Sequence, residues 1–353
     1  MSDLVIRCHR GSYPVHFGEP FKGLEHGLNE GEHLLIDARV ADLYESNLSA
    51  ALAGYSVLRI EATEDNKSLE AFPRYYTHLI DQGVRRNHLL IAVGGGIVQD
   101  ITAFIAATLL RGLRWHFYPT TLLAQADSCI GSKSSVNVGG SKNQLGTYTP
   151  PDEISISTEV LATLTDSDRR SGIGEIIKVH IISGWDEVRA LAADYSQLEH
   201  DPVVLGRYIQ ESLKIKKVKI EADEFDRGER IVMNYGHSFG HAIESCTDFA
   251  VPHGIAVSIG MDMANFASWR LGLSGRDVYG ELHPLLEENF SGYQNIDISV
   301  DRLVAALGRD KKNVGRDIVL ILLSEPGALF QHRITDESRL RAICAEYLEN
   351  LGG

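Results

Sequence analysis

Short apolar runs alternate with helix-like segments in the first half of the chain. The apolar runs lie at residues 33–37, 55–60, 88–93 and 115–118, and the segments 40–52 and 67–82 between them have the spacing of amphipathic helices. This alternation predicts a parallel β-sheet covered by helices. We therefore expect the first half to form an α/β domain.

The second half has a different pattern. After a short extended segment at 153–157, helical patterns dominate at 167–183, 202–223, 240–246 and 255–271. A late strand at 317–323 precedes a final helix at 336–351. We place the boundary within residues 158–168, which gives an α/β domain at 1–165 and a mostly helical domain at 166–353.

Charge narrows the range of partners. The 353 residues include 34 Lys and Arg against 48 Asp and Glu, a formal net charge of −14. This surface disfavours nucleic acid and anionic membranes as partners. Residues 1–20 lack the apolar core of a signal peptide, and the apolar run 101–110 is too short to cross a bilayer. The four cysteines form no C-x-x-C pair, so we expect reduced thiols in a cytoplasmic protein.

A glycine-rich turn follows the third apolar run. Residues 94–100 read Gly-Gly-Gly-Ile-Val-Gln-Asp, and a helical pattern begins there. Glycine permits positive φ and close approach to a ligand, and the N–H groups at a helix start favour phosphate. A tight strand-to-helix turn without a ligand also explains the sequence, which is not the usual G-x-G-x-x-G. The α/β context favours nucleotide binding.

Two histidines four residues apart suggest a metal site. His237 and His241 share one face of a predicted helix, and His253 precedes the next helix. Unrelated core or surface histidines are the alternative. Glu175 favours the metal, because it lies in an apolar helical segment where a carboxylate without a partner is costly. Two imidazoles, a carboxylate and an open position are typical of catalytic zinc.

Several basic residues lie in apolar or glycine-rich surroundings. Each alone is explained by a solvated surface charge, and Lys178 also fits a helix ion pair with Glu175. Together they predict a pocket for phosphate and carboxylate groups. The residues are Lys133, Lys142, Lys178, Lys216, Arg230, Lys311 and Lys312.

These motifs, in this order, resemble those of the 3-dehydroquinate synthase family within the sugar phosphate cyclase superfamily. The resemblance extends from about Asp37 to Lys312 and is most specific at residues 234–241, Asn-Tyr-Gly-His-Ser-Phe-Gly-His. Other matching segments are 94–100, 111–112, 119–127, 132–133, 136–137, 142–143, 174–178, 223–224, 253–254 and 310–312. The family resemblance implies a Rossmann-like parallel-sheet nucleotide-binding domain followed by a mainly α-helical metal- and substrate-binding domain.

The resemblance also implies roles for individual residues. Glu175, His237 and His253 would bind zinc or cobalt, and His241 would act as an acid or base or contact phosphate. The implied NAD site comprises Asp37, Glu64, Lys67, Gly95, Gly96, Asp100, Thr120, Thr121, Asp127 and Lys142. The implied substrate residues are Asp127, Lys133, Asn143, Lys178, Lys216, Arg230, Asn234 and Lys311 or Lys312. Arg111 would act from the neighbouring subunit of a homodimer.

The implied reaction converts 3-deoxy-D-arabino-heptulosonate 7-phosphate, an anionic sugar phosphate, to 3-dehydroquinate. Oxidation by NAD, β-elimination of phosphate, reduction and an intramolecular aldol step follow one another. A cyclase acting on an amino-heptulosonate phosphate or sedoheptulose 7-phosphate, and a metal-dependent alcohol or glycerol dehydrogenase, are the alternatives. A non-enzymatic NAD- and metal-binding paralogue is a further one.

Departures from the family pattern concern the substrate more than the fold. Residues 131–139 read Gly-Ser-Lys-Ser-Ser-Val-Asn-Val-Gly where Gly-Gly-Lys-Thr and Asn-His-Pro are usual. Residues 164–168 also differ, and Ile255 replaces the usual acid after His-Gly. Lys216, Arg230 and Asn234 keep the dehydroquinate synthase type, which favours that substrate.

Overall fold

The computed structural model describes residues 3–139, 141–309 and 317–351. The chain divides into two compact units, one comprising Met1–Leu164 with Ile209–Asp226 and the other Thr165–Tyr208 with Arg227–Gly353. The first division falls inside the predicted 158–168 range. The sequence pattern, however, assigned residues 209–226 to the second domain, whereas this segment groups with the first unit.

A parallel sheet forms the centre of the first unit. Its strands are β1 (Leu4–Cys8), β2 (Gly11–Phe17), β3 (Glu32–Asp37), β4 (Val57–Ile60), β5 (Leu89–Gly94), β6 (Arg114–Pro119) and β9 (Glu153–Ile156). The described strands lie in the order β1-β2-β9-β6-β5-β3-β4, and β1 pairs antiparallel with β2 while the other pairs are parallel. The parallel α/β fold predicted from the apolar runs is confirmed.

Helices connect these strands. They are α1 (Ala38–Leu43), α2 (Glu45–Leu52), α3 (Phe72–Asp81) and α4 (Gly96–Thr108), and a small hairpin adds β7 (Val136–Val138) and β8 (Ser141–Leu145). The predicted helix 40–52 is two helices that meet at Tyr44. The predicted helix 67–82 becomes α-helical only at Phe72, after two short 3₁₀ turns.

Two carboxylates bind the backbone at the end of edge strand β1. Glu221 accepts a hydrogen bond from the backbone N–H of Arg7 at 2.9 Å, and Glu224 accepts one from that of His9 at 2.7 Å. An edge strand needs such partners, since its outward N–H groups have no neighbouring strand. These contacts explain why residues 209–226 group with the sheet instead of with the helical unit.

The sheet contains a point where the chain changes direction. From β3 the chain passes outward to β4 and then returns to form β5 on the other side of β3. Loops that leave neighbouring parallel strands in opposite directions open a crevice at the carboxyl ends of those strands, where α/β proteins bind ligands. Asp37 ends β3 and Gly94 ends β5, so both lie at this crevice.

Helices predominate in the described part of the second unit. They are α5 (Asp166–Ser183), α6 (Trp185–Leu198), the start of α7 (Pro202–Ala222), α8 (His237–Cys246), α9 (His253–Leu271), α10 (Arg276–Asn289), α11 (Val300–Leu307) and α12 (Glu337–Leu351). A hairpin joins β10 (Ile318–Glu325) to β11 (Ala328–Ile334). Residues 254–268 of α9 are all buried, so this helix is enclosed by its neighbours.

Two glycines allow α5 and α9 to touch backbone to backbone. A Cβ atom on Gly174 would lie 2.2 Å from the carbonyl oxygen of Gly254, and one on Gly254 would lie 1.8 Å from that of Ser171. The Ser171 hydroxyl also accepts a hydrogen bond from the N–H of Gly254 at 2.9 Å. This crossing places Glu175, the residue after Gly174, beside His253, the residue before Gly254.

No helix in the three described ranges is long and apolar enough to span a membrane.

The close contact between α5 and α9 predicts that alanine destabilises the protein at Gly254 but not at an exposed helical glycine. Gly254→Ala should lower the free energy of unfolding by about 1–3 kcal/mol or more, because a new methyl group meets backbone that cannot move aside. Gly280→Ala is the matched control: Gly280 is exposed within α10 and nothing lies within 4 Å of its Cβ position. That variant should gain about 0.5–1 kcal/mol. Urea unfolding of the metal-free proteins measures both, and equal stability of G254A and the parent protein would contradict the crossing.

Candidate functional site

A left-handed glycine starts the histidine helix. Gly236 has φ 76° and caps α8, and a Cβ there would lie 2.8 Å from the carbonyl oxygen of Val257 in α9. The helix therefore begins at His237, and Pro252 likewise precedes α9 so that His253 is its first residue. His237 and His253 both lie in the first turn of a helix, on helices that pack against each other.

Three predicted ligands meet at one point. Glu175 Oε1 lies 3.6 Å from His237 Nε2 and 3.4 Å from His253 Nε2. The Glu175 side chain is 1% exposed. One ligand atom from each of the three residues lies within 4.8 Å of the others. Nothing in the linear spacing of residues 175, 237 and 253 requires this convergence.

The geometry fits a divalent cation. Glu175 Oε1 is buried and has no hydrogen-bond partner among the described residues, although two imidazole nitrogens lie near it. Ligand atoms at about 2.1 Å from a tetrahedral zinc lie about 3.4 Å from one another. Two imidazoles and a carboxylate are a donor set that zinc accepts while keeping one position open. Glu175, His237 and His253 can therefore hold such an ion.

The surroundings of the three residues set the charge that each one carries before a metal binds. Burial is the largest influence on the Glu175 carboxyl, but the Lys178 ammonium, which is ion-paired with it, and the neighbouring imidazoles hold its pKa well below the usual range. Burial and Lys178 lower the pKa of His237 far below its ordinary value, so its imidazole is neutral as a metal ligand requires. Burial opposes the charge on His253 as well, yet contacts with Glu175 and Glu244 raise its pKa to about 10.

His241 lies beside the ligands and not among them. Its side chain is exposed, and its ring centroid is 5.4 Å from that of His237 and 5.8 Å from that of His253. With Glu244 and His253 it makes a second group of close ligand atoms. The i, i+4 pair at 237 and 241 thus shares a face, as the spacing predicts, but the buried carboxylate faces only His237 and His253.

Gly94 and Gly95 are needed because neighbouring side chains lie too close to leave room for a Cβ atom. Positive φ was one expected reason for three glycines, and it is wrong for Gly94, Gly95 and Gly96, since none has a positive φ. Instead, a Cβ on Gly94 would lie 2.7 Å from Val98, and one on Gly95 would lie 2.8 Å from Thr121. The first N–H groups of a helix have no partner within it, and those of α4 lie at the carboxyl end of β5, as phosphate binding needs.

A buried lysine links several residues of the implied NAD site. Lys67 is 5% exposed, and its ammonium donates to Asp100 Oδ2 and to Asn143 Oδ1, both at 3.1 Å. It also lies 3.8 Å from Glu64 Oε2. Burial raises the pKa of Asp100, and Lys67 and the Ser135 hydroxyl partly oppose that rise. Five predicted residues therefore form one network, because Lys142 Nζ lies 3.8 Å from Glu64 Oε1.

The other implied NAD residues lie at the ends of the strands. Asp37 caps α1 by accepting from the N–H of Arg39 at 2.9 Å, and burial raises the pKa of its carboxyl. Thr120 donates its backbone N–H to Gly94 at 2.9 Å. Thr121 begins the turn into a π-helical segment, Ala124–Ser128, that carries Asp127. π-Helical turns occur frequently at functional sites.

Cationic residues of the implied substrate set are paired with carboxylates in the first unit. Lys216 Nζ lies 3.1 Å from Asp127 Oδ1 and donates to the backbone carbonyl of Asp127 at 2.5 Å. Lys133 pairs with Asp226 and is partly exposed. Arg111 is exposed and has φ 67°, on the short turn Leu109–Arg111.

The second unit contributes the remaining members of that set. Lys178 is buried against Glu175, and Arg230 is 6% exposed on the 3₁₀ turn Glu229–Asn234. Asn234 ends the same turn, two residues before the glycine that starts α8. Lys311 and Lys312 lie outside the described residues.

Comparison with known proteins identifies the family. The family model for the 3-dehydroquinate synthase N-terminal domain matches residues 57–171, and that for the C-terminal domain matches residues 172–313. The 3-dehydroquinate synthase of Dictyoglomus thermophilum is 33% identical over 333 residues, 93% of each chain. That of Enterococcus faecalis is 36% identical over 302 residues, 83% of each chain. The chain belongs to the 3-dehydroquinate synthase family.

Solved structures agree with the fold of this family. The 2-epi-5-epi-valiolone synthase from Streptomyces hygroscopicus, solved with NAD⁺ and Zn²⁺, is 25% identical with a TM-score of 0.83 over 96% of this chain and 97% of that one. A 2-deoxy-scyllo-inosose synthase bound to carbaglucose-6-phosphate, NAD⁺ and Co²⁺ has the same TM-score at 22% identity, over 98% and 100%. A probable glycerol dehydrogenase from Sinorhizobium meliloti reaches only 0.56 at 13% identity, over 91% and 90%.

Several contacts of the predicted site residues were not predicted from the sequence. Glu244 contacts His253, Ser135 contacts Asp100 at 2.8 Å, and Asp226 pairs with Lys133. A signal existed for Glu244, since positions 237, 241 and 244 fall on one helical face. The departure at residues 131–139 marked Ser135 as unusual without indicating a partner. Asp226 offered no signal.

His253→Ala tests the ligand set of this family member. Zinc content after gel filtration should fall from about one ion per chain to a small fraction, because Glu175 and His237 alone are two ligands. The loss in affinity should exceed the roughly 10- to 100-fold cost of losing an outer partner of a ligand. His200→Ala, at a histidine whose side chain is 81% exposed, is the control and should keep full zinc. Full occupancy in H253A would refute the ligand role.

Proposed function

We propose that the protein is a 3-dehydroquinate synthase, a carbon–oxygen lyase that depends on NAD and a divalent metal. It converts 3-deoxy-D-arabino-heptulosonate 7-phosphate to 3-dehydroquinate and releases phosphate. The convergence of Glu175, His237 and His253 around a space of cation size is the observation that carries this proposal. Its support in sequence is the identity of 33–36% with curated 3-dehydroquinate synthases over most of the chain.

Glu175, His237 and His253 would hold zinc or cobalt, which supplies Lewis acidity at the oxygen that is oxidised. Lys178 neutralises the other carboxylate oxygen of Glu175 and brings a cation to the same centre. His241 is exposed beside the ligands, where its imidazole can exchange protons with a bound substrate. Holding a flexible polyanion in one conformation is mainly a positioning contribution.

Bound NAD would supply reversible hydride transfer at a ring carbinol of the substrate. Asp37, Gly95, Gly96, Thr120 and Thr121 would surround it at the carboxyl ends of β3, β5 and β6. With Asp127, the site would be completed by the Lys67 network, which includes Glu64, Asp100 and Lys142. Its internal ion pairs hold these groups in one arrangement before the cofactor arrives, which lowers the ordering cost of binding.

The substrate's carboxylate, phosphate and hydroxyl groups would be held by basic and amide side chains. We assign this role to Lys133, Asn143, Lys178, Lys216, Arg230 and Asn234, together with Asp127. In the proposed homodimer, Arg111 of the partner subunit would add a further cation. We also propose a cytoplasmic location, in agreement with the four cysteines, which are all free thiols.

The alternatives differ in substrate or in the fate of the hydride. A cyclase for an amino-heptulosonate phosphate or sedoheptulose 7-phosphate would share the metal and NAD residues. The retained Lys216, Arg230 and Asn234 favour the heptulosonate phosphate. A metal-dependent alcohol or glycerol dehydrogenase is disfavoured, since the solved glycerol dehydrogenase resembles the chain in fold alone.

A phosphate-release assay decides between these reactions. Purified protein with NAD, zinc or cobalt and 3-deoxy-D-arabino-heptulosonate 7-phosphate should release inorganic phosphate at many times the rate without metal. NADH should not accumulate, because the hydride returns to the substrate. Release only from an amino-heptulosonate phosphate or sedoheptulose 7-phosphate would replace the proposed substrate. NADH accumulating in proportion to turnover would indicate a dehydrogenase.

Arg230→Ala tests the assignment of a substrate contact. A charge-assisted hydrogen bond contributes about 1.5–3 kcal/mol, so the KM for the heptulosonate phosphate should rise about 10- to 100-fold. The dissociation constant for NAD should stay the same, as should zinc content. Arg189→Ala, at an exposed arginine paired with Glu281, is the control for removing a guanidinium group. An unchanged KM in R230A would show that Arg230 does not bind substrate.

A further inference from the structure

Glu244 and Glu175 contact opposite nitrogens of the same imidazole. His253 Nε2 lies 3.4 Å from Glu175 Oε1, and His253 Nδ1 lies 3.3 Å from Glu244 Oε2. The Glu244 side chain is 13% exposed and projects from the last turns of α8. The ring is therefore held between the buried carboxylate of the metal site and a second carboxylate behind it.

This arrangement selects one tautomer of the imidazole. A neutral histidine has one N–H donor and one nitrogen lone pair, and a metal ligand must direct the lone pair at the ion. An ionised Glu244 carboxylate has no proton to donate, so the His253 nitrogen that hydrogen-bonds to it must carry the proton. With Nδ1–H directed at Glu244, Nε2 is the nitrogen that gives up its proton when a cation binds, and its lone pair then points toward Glu175 and His237.

Few other groups near His253 can take this role. The residue after His253-Gly254 is Ile255, which is fully buried and apolar. His241 stacks against the His253 ring, with an angle of 29° between the planes, and so faces the ring instead of its Nδ1 edge. Glu244 is the acidic side chain for which the described residues show a hydrogen bond to Nδ1.

The same atoms admit a competing arrangement. His241, Glu244 and His253 also form a group of close ligand atoms, and Glu244 lies beside Nδ1 of His253. In that group His241 is exposed and the other two residues are partly buried, whereas the Glu175 carboxylate is fully buried and incurs a large desolvation cost unless a cation compensates it. The buried group therefore has more to gain from the ion, and Glu244 is left as the hydrogen-bond acceptor.

We propose that Glu244 is a positioning residue that orients His253 and fixes its proton on Nδ1, so that Nε2 binds the metal. Carboxylates in this relation to a metal-bound histidine set the orientation and basicity of the ring, and their loss costs about 10- to 100-fold in metal affinity. The inference rests on the proposed metal-dependent function, which it deepens by adding a residue behind the ligands.

Zinc affinity of two Glu244 variants tests the proposal. Glu244→Met keeps the length of the side chain but removes both oxygens, and its zinc dissociation constant, measured by competition with a chelator, should rise about 10- to 100-fold. Glu244→Gln keeps an oxygen acceptor for Nδ1–H and should recover most of the affinity. Asp248→Asn, which removes an exposed carboxylate just after α8, should leave the affinity unchanged.

Nitrogen NMR of the wild-type zinc protein provides a test that needs no Glu244 variant. With ¹⁵N-labelled histidine, and with the His253 signals identified by their loss in H253A, Nδ1 should carry the proton and Nε2 should bind zinc. Zinc on Nδ1 would overturn the proposal, as would wild-type affinity in E244M or an E244Q variant as weak as E244M. Neither measurement uses substrate, so zinc-loaded protein that releases no phosphate would contradict the proposed function alone.

Discussion

The structure depends on a buried carboxylate that two helices hold in place. Glu175 is inaccessible to water, and its burial would cost several kcal/mol if no positive charge faced it. Lys178 supplies one charge to Oε2, and the two imidazole nitrogens face Oε1 across a space that suits a cation. Side chains that must meet this closely require backbones that meet closely too, and Gly174 and Gly254 make that possible.

The first unit also contains buried charges that are paired with opposite charges. The chain is acidic overall, with a net charge of −14, yet Lys67 and Lys216 are buried against acidic partners. A buried ion pair adds little to stability when compared with apolar packing, but breaking one is costly. We infer that these pairs keep their members in fixed positions. The pairs therefore keep lysine side chains in place within an acidic protein. We propose that this protein binds anionic molecules.

The pattern of apolar and polar residues predicted the strands and helices that are buried along most of their length. The apolar runs at 33–37 and 88–93 became central strands, and the long helical patterns at 167–183 and 255–271 became α5 and α9. The hairpin β1-β2 was missed, because an edge strand mixes polar and apolar residues and β2 contains Pro14. The place of residues 209–226 was also missed. It depends on Glu221 and Glu224 reaching a strand more than 200 residues earlier.

The candidate metal site was likewise predicted only in part from the sequence. The spacing of His237 and His241 predicted a shared helical face, and the apolar surroundings of Glu175 predicted that its carboxylate needs a partner. The family resemblance selected His253 over His241 as the third ligand, which the distances to Glu175 favour. The hydrogen bond from His253 to Glu244 could not be found by spacing alone, because it depends on how α8 and α9 pack.

Anomalous X-ray diffraction at the zinc absorption edge, on crystals grown with zinc and NAD, tests the central claim most directly. The two groups of ligand atoms share His253, so the position of the ion relative to that ring distinguishes them. We predict one strong peak about 2.0–2.2 Å from Glu175 Oε1, His237 Nε2 and His253 Nε2. A peak between His241 and Glu244, or Glu175, His237 and His253 facing apart around no ion, would contradict the account.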